Sequence, residues 1–207
     1  LLRIGLLPFL MAVFLAAKEP GDGWAKGLFS FNHIGDFKFD WLYKFYFLKY
    51  LFIIIPGTMA GEMMIKEKVN GEWSMVNRRV ENLLAVIGVL LVMVNLYGLF
   101  TRMLFANLLL NVSLCITFLY LLRKEEKENL YKQLANAGTY LLLLGLFFEA
   151  YEGGIKKDSS TYSYYFVTSG LAFYTLIAFS VMAKRSYLSS VSTYLSLNGK
   201  NPMVAYV

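Results

Sequence analysis

Glu149 and Glu152 stand three residues apart near the end of an apolar run, a spacing that puts both carboxylates on nearly one face of a helix. Ionisable groups are costly at membrane depth and usually face a cavity or a partner there. Two roles suit such a pair. One is acid–base chemistry, in which either carboxylate binds or deprotonates a polar acceptor. The other is structural: the glutamates sit at the membrane boundary, pair with Lys156 and Lys157 and cap a helix end. Lys156, Lys157 and Asp158 follow Gly153 and Gly154 after one residue, Ile155, so this segment is a candidate substrate-binding surface, with His33 as a further candidate on the same side.

Other chemistries are poorly provided for. His33 is the sole histidine and Cys115 the sole cysteine, which leaves no HExxH pair, no zinc ligand set and no intrachain disulfide. No metal is expected. The chain also has no phosphate-binding glycine loop ahead of a lysine, no GxGxxG and no GxSxG elbow. Asn95, Asn107 and Asn111 interrupt apolar runs and are read as interhelical hydrogen-bonding groups. Gly57 and Gly61 form a small-residue stripe that suits close helix approach, and Cys115 is read as a packing residue.

The elements that must position these residues are membrane helices. Of the 207 residues 57% are hydrophobic and only 16% charged, below the usual charged share of about 25%. Apolar stretches of about twenty residues cross about 30 Å of hydrocarbon as helices, which alone satisfy their backbone within one segment. Six spans are expected, at 4–17, 46–65, 83–100, 104–122, 135–151 and 164–183, with a seventh opening near Pro202. The fold class is thus an all-α polytopic transmembrane bundle forming a single domain over 1–207. The chain starts at Leu1 and ends as a new apolar run opens, so a piece of a longer protein is expected.

The formal charge of +6 does not point to nucleic acid, because the 20 basic residues are spread through loops between apolar runs. Alternating spans place eleven of them on one side and seven on the other, and the richer side is taken as cytoplasmic. The expected location is the inner (cytoplasmic) membrane, crossed several times. On the opposite side lies a loop at 18–44 that carries Trp24, Phe29, Phe31, Phe37, Phe39, Trp41 and Tyr43. It is read as an extracytoplasmic, aromatic-rich segment at the interface, or as a lid over an outward-facing cavity.

Three strings are more specific than composition. They are Lys49 to Thr58 (KYLFIIIPGT), Tyr151 to Asp158 (YEGGIKKD) with Ser163 to Phe166 (SYYF), and Gly199 to Met203 (GKNPM) with Ala205 and Tyr206. Together they resemble the C-terminal half of a bacterial membrane family of unassigned function (DUF5009-like), common in Bacteroides-like bacteria. That family is related to heparan-alpha-glucosaminide N-acetyltransferase and other multispanning acyltransferases.

The resemblance implies an enzyme that takes an acetyl group from acetyl-CoA on the cytoplasmic side and passes it to a sugar amine or hydroxyl across the membrane. In such proteins the N-terminal half carries an Asp/Arg-Gly-containing first helix and the histidine of acyl transfer. Neither has a counterpart here, and His33 lies outside that motif. Asn201, ahead of Pro202 at a helix start, suits a phosphate or pantetheine carbonyl, and Lys184, Arg185 and Lys200 on the same side suit the CoA phosphates. The same basic residues would also serve simply to fix topology. The competing expectation is a transporter or flippase for a polar or sugar-containing solute, since buried Asn and Glu groups serve a carrier equally well. Expected partners are the lipid bilayer, a small-molecule or glycan acceptor and a second copy of the chain.

Overall fold

The computed structural model describes residues 6, 33–34, 37–38, 50–70, 77–123, 129–157, 161–185, 190, 193–194 and 196–197, with the backbone alone for 33–34, 37–38 and 68–70. Its helices are α1 (Leu51–Asn70), α2 (Arg78–Phe100), α3 (Leu104–Arg123), α4 (Leu130–Glu152) and α5 (Tyr162–Ala183). A short antiparallel ribbon, β1 (His33–Ile34) with β2 (Phe37–Lys38), pairs His33 with Lys38 and Ile34 with Phe37. It is the one departure from an all-helical architecture among the described residues.

Six spans and the start of a seventh are too many for what is seen. The described residues form five helices, and four of them, α2 to α5, are long and apolar enough to cross a membrane, the pattern of a multi-pass membrane protein. The expected spans at 4–17 and near Pro202 lie outside the described residues. The expected span at 46–65 becomes α1, which ends in the charged run Glu62, Lys66, Glu67 and Lys68. Those charges explain why α1 is not counted as a span.

Two helices start five residues earlier than their apolar runs. Asn77 caps α2 by accepting from the Arg79 N–H at 3.1 Å, and Asn129 caps α4 by accepting from the Lys132 N–H at 2.9 Å. Each cap satisfies a backbone N–H that the helix itself leaves unpaired, so the first turn can be polar.

The core sits between α4 and α5. Gly145 and Gly170 make that contact possible: a Cβ on Gly145 would lie 2.6 Å from the Val167 nitrogen, and one on Gly170 2.6 Å from the Leu142 nitrogen. Backbone meets backbone here. The expected close-approach stripe, Gly57 and Gly61, is open among the described residues, where a Cβ on either would meet nothing within 4 Å. Gly57 lines an apolar groove of about 310 Å³ between α1 and α5.

Pro56 lies inside α1 and has no N–H, so the Phe52 carbonyl four residues earlier loses its helical donor. The buried Ser169 hydroxyl of α5 donates to that carbonyl at 3.5 Å. Phe52 itself is fully buried against Tyr162 and Phe166, with ring centroids 5.7 and 5.4 Å away. The proline thus helps to seat α1 on α5.

Candidate functional site

The polar chemistry falls at the two ends of the bundle. Helix α2 has 23 residues and is about 34 Å long. It carries Glu81 in its first turn and leads into Arg102 just beyond its last.

At the Arg102 end, three residues join α2 to α3. The Arg102 N–H donates to the Leu99 carbonyl at 3.4 Å and the Met103 N–H to the Gly98 carbonyl at 3.0 Å. These are the two bonds of a Schellman motif, whose left-handed position is normally glycine. Here it is Arg102, at φ 59°, a conformation that costs a residue with a Cβ roughly 1 kcal/mol or more. The side chain compensates. Its Nη1 donates to Glu149 Oε1 at 3.0 Å, joining the α2–α3 turn to α4. Glu149 is 2% exposed, whereas the arginine side chain is 51% exposed. Room for the guanidinium comes from Gly154, where a Cβ would stand 2.6 Å from Nη1.

Glu152 does different work. Its Oε1 accepts from the Tyr162 N–H and its Oε2 from the Ser163 N–H, both at 2.8 Å. Thr161, the N-cap residue of α5, makes no capping bond with its own side chain, so a carboxylate from α4 caps α5 in its place. The structural role foreseen for the two glutamates is therefore seen with other partners. Glu149 pairs with Arg102 and Glu152 with backbone N–H groups, while Lys156 and Lys157 are exposed and form no ion pair among the described residues.

Beneath this turn Asn95, Asn107 and Asn111 form a closed cluster between α2 and α3. Asn95 Nδ2 donates to Asn111 Oδ1 at 2.6 Å, and Asn111 Nδ2 donates to Asn107 Oδ1 at 3.0 Å and Asn95 Oδ1 at 3.2 Å. All three residues are buried. Their amides bond one another across the helix pair, as expected of interhelical groups. Deeper in the bundle the Tyr174 hydroxyl lies 2.5 Å from Thr139 Oγ1 and donates to Cys115 Sγ at 3.4 Å, so α3, α4 and α5 share one buried polar contact.

At the opposite end Lys184 and Arg185 converge on Glu81. Lys184 Nζ donates to Oε1 at 2.9 Å and Arg185 Nη2 to Oε2 at 3.0 Å. The Lys184 ammonium also lies 5.1 Å above the Tyr131 ring. Burial alone would lower the Lys184 pKa, but hydrogen bonding to Tyr131 and Glu81 outweighs it and leaves the pKa raised. Arg185 is 8% exposed, and its Nε has no hydrogen-bond partner among the described residues.

The candidates are thus partly brought together. Lys184 and Arg185 share one carboxylate, and Glu149 and Glu152 occupy one end of α4, whereas Asp158, Lys200 and Asn201 lie outside the described residues and His33 is described by its backbone alone. Sequence reasoning missed Glu81 and used Arg102 only to count charge. The signal for Arg102 was its place in a three-residue connection, Thr101 to Met103, which is too short to hold it away from both helix ends. Glu81 was signalled as the one acidic residue beside Arg78 and Arg79 at the start of an apolar run.

Residues 1–64 match a domain of unknown function, DUF5009. The match includes the string Lys49 to Thr58 but none of the residues in the two end clusters. No curated protein and no solved structure matches the chain.

Proposed function

We propose that this chain belongs to a membrane acyltransferase that moves an acetyl group from acetyl-CoA to an amine or hydroxyl of a sugar acceptor. The reading rests on the resemblance of the strings at Lys49, Tyr151 and Gly199 to multispanning acyltransferases; the match of residues 1–64 to DUF5009, a domain of unknown function, agrees with that kind of protein but names no reaction. The separation of charge supports it. A donor with several phosphates needs cations, and the exposed Arg78 and Arg79 stand at one end, which we assign to the cytoplasm, while Lys184 and Arg185 beside them are already held by Glu81. An acceptor on the other side of the membrane would meet Arg102, Glu149, Lys156 and Lys157 instead.

In this reaction the acceptor nitrogen or oxygen attacks the thioester carbonyl, a C–N or C–O bond forms, the C–S bond breaks and CoA leaves as its thiol. The acceptor's proton needs a base. Both oxygens of Glu152 accept backbone N–H groups, whereas among the described residues Glu149 is hydrogen-bonded through Oε1 only, so Glu149 is the better placed of the two carboxylates. Proteoliposomes holding the full-length protein to which this chain belongs, given radiolabelled acetyl-CoA outside and amino sugars inside, are expected to yield acetylated sugar. Solute uptake without acylated product would replace this reading with that of a carrier.

A further inference from the structure

We propose that the α2–α3 turn is a binding site for the phosphate of a lipid headgroup, with Arg102 as the phosphate ligand and Glu149 as the residue that positions it. Three observations converge on the turn. The first is its backbone. A left-handed C-terminal position is held by arginine rather than glycine, and the neighbouring segment supplies Gly154 where a side chain would collide with Nη1. Two connections are shaped around one guanidinium.

The second is the state of that guanidinium. Glu149 takes Nη1 from the buried side, and among the described residues the Arg102 side chain has no other hydrogen-bond partner, although half of it is exposed. Arginine presents five donors in a planar fork, so the exposed edge can take two phosphate oxygens while the Glu149 bond persists. The buried carboxylate fixes the direction in which that edge points.

The third is what surrounds it. Phe100 is 89% exposed, Phe105 76% and Met103 55%, so apolar side chains flank Arg102 on both sides in the chain. Tyr97 in the last turn of α2, 68% exposed, belongs at the boundary between acyl chains and headgroups, and the exposed phenylalanines and methionine meet the acyl chains beside it. That boundary is the depth at which lipid phosphates lie. A soluble phosphate could present the same oxygens, but it would gain nothing from the exposed aromatic and methionine side chains.

The test is titration of the full chain, purified in a neutral detergent, with phosphatidylglycerol, counting bound lipid by native mass spectrometry. The first lipid is expected to bind about tenfold more weakly to Arg102→Gln and only a few-fold more weakly to Arg102→Lys, with helix content by circular dichroism unchanged in the lysine variant. Glu149→Gln, which keeps an oxygen to accept from Nη1 but removes the competing negative charge, is expected to bind the lipid as tightly or more tightly, whereas Glu149→Leu, which removes the acceptor that orients the guanidinium, is expected to bind it several-fold more weakly. Diacylglycerol of the same chains, which lacks phosphate, should bind no better to the native chain than to Arg102→Gln. Equal binding of phosphatidylglycerol to the native chain and Arg102→Lys together with Arg102→Gln would overturn the site. Release of the lipid by millimolar inorganic phosphate would show that the turn takes free phosphate and would overturn the lipid assignment.

Discussion

Glu81 and Arg185 are 104 residues apart in the chain and meet at 3.0 Å, which fastens the first turn of α2 to the end of α5. Lys184 shares the same carboxylate, so one glutamate carries two cations in a largely buried setting. A carboxylate so placed holds its ions only while both signs are present. Removing it strands Arg185, which is 8% exposed, and breaking a buried pair from one side costs about 3–5 kcal/mol. Glu81→Ala is therefore expected to lower the unfolding temperature in detergent far more than Lys184→Met, whose side chain is 26% exposed. The double replacement Glu81→Leu with Arg185→Met should recover most of the loss. Additive losses in the double variant would count against a coupled pair.

The same cluster has a defined pH response. The Lys184 pKa in the folded chain is raised above its usual 10.5, because the bonds to Tyr131 and Glu81 favour the ammonium by more than burial disfavours it. A raised pKa in the folded state means that the contribution is complete below the unfolded value and is lost as pH climbs through the folded one. The stability difference between the native chain and Lys184→Met is thus expected to stay constant up to about pH 10 and to shrink above about 10.5. Thermal unfolding of both chains across that range measures it. A difference that shrinks on acidification from neutral pH instead would assign the effect to another group.

Glu152 provides a test that separates structure from catalysis. Its two oxygens hold the first N–H groups of α5, and losing a cap of this kind costs about 1–2 kcal/mol. Glu152→Ala should lose that stability, whereas Glu152→Gln keeps one acceptor oxygen and should lose about half. Acetyl transfer, measured at a temperature where the variants stay folded, is expected to survive both changes. Loss of transfer in a fully stable Glu152→Gln protein would return Glu152 to the chemistry.

How far these relationships were legible in the sequence depends on what encodes them. Apolar length is written locally, so the runs that became α2 to α5 could be placed, and only their polar first turns were lost, because a capping Asn129 or Asn77 extends a helix beyond its hydrophobic run. The Asn95, Asn107 and Asn111 contact was readable in kind, since a buried amide must find a partner and the two helices are joined by a short turn. Partner choice was not. Lys156 and Lys157 were the nearest cations to Glu149 along the chain, yet Arg102, 47 residues away, takes it because the three-residue turn holds the arginine at the end of α4. Lys184 and Arg185 read as an open cationic pair for the same reason, since nothing local announces that Glu81 folds back onto them.

Glycine shows the same limit and supplies the sharpest prediction. By spacing, Gly57 and Gly61 were the natural close-approach pair, but the surface that meets a helix is set by the partner, and α4 and α5 meet through Gly145 and Gly170. At Gly170 a methyl group would come within 2.6 Å of the Leu142 nitrogen and 2.8 Å of its Cα, and these backbone atoms cannot move without parting the two helices. Gly170→Ala is expected to destabilise the bundle by about 1–3 kcal/mol, the usual cost of overpacking, or by more where the whole α4–α5 contact must open. Gly57→Ala meets open space among the described residues and should change stability by a few tenths of a kcal/mol, on the order of an ordinary surface substitution. Thermal unfolding of the two variants in the same detergent decides the matter: a large loss at Gly57 with little at Gly170 would mean that α1, not the α4–α5 pair, carries the tight interface.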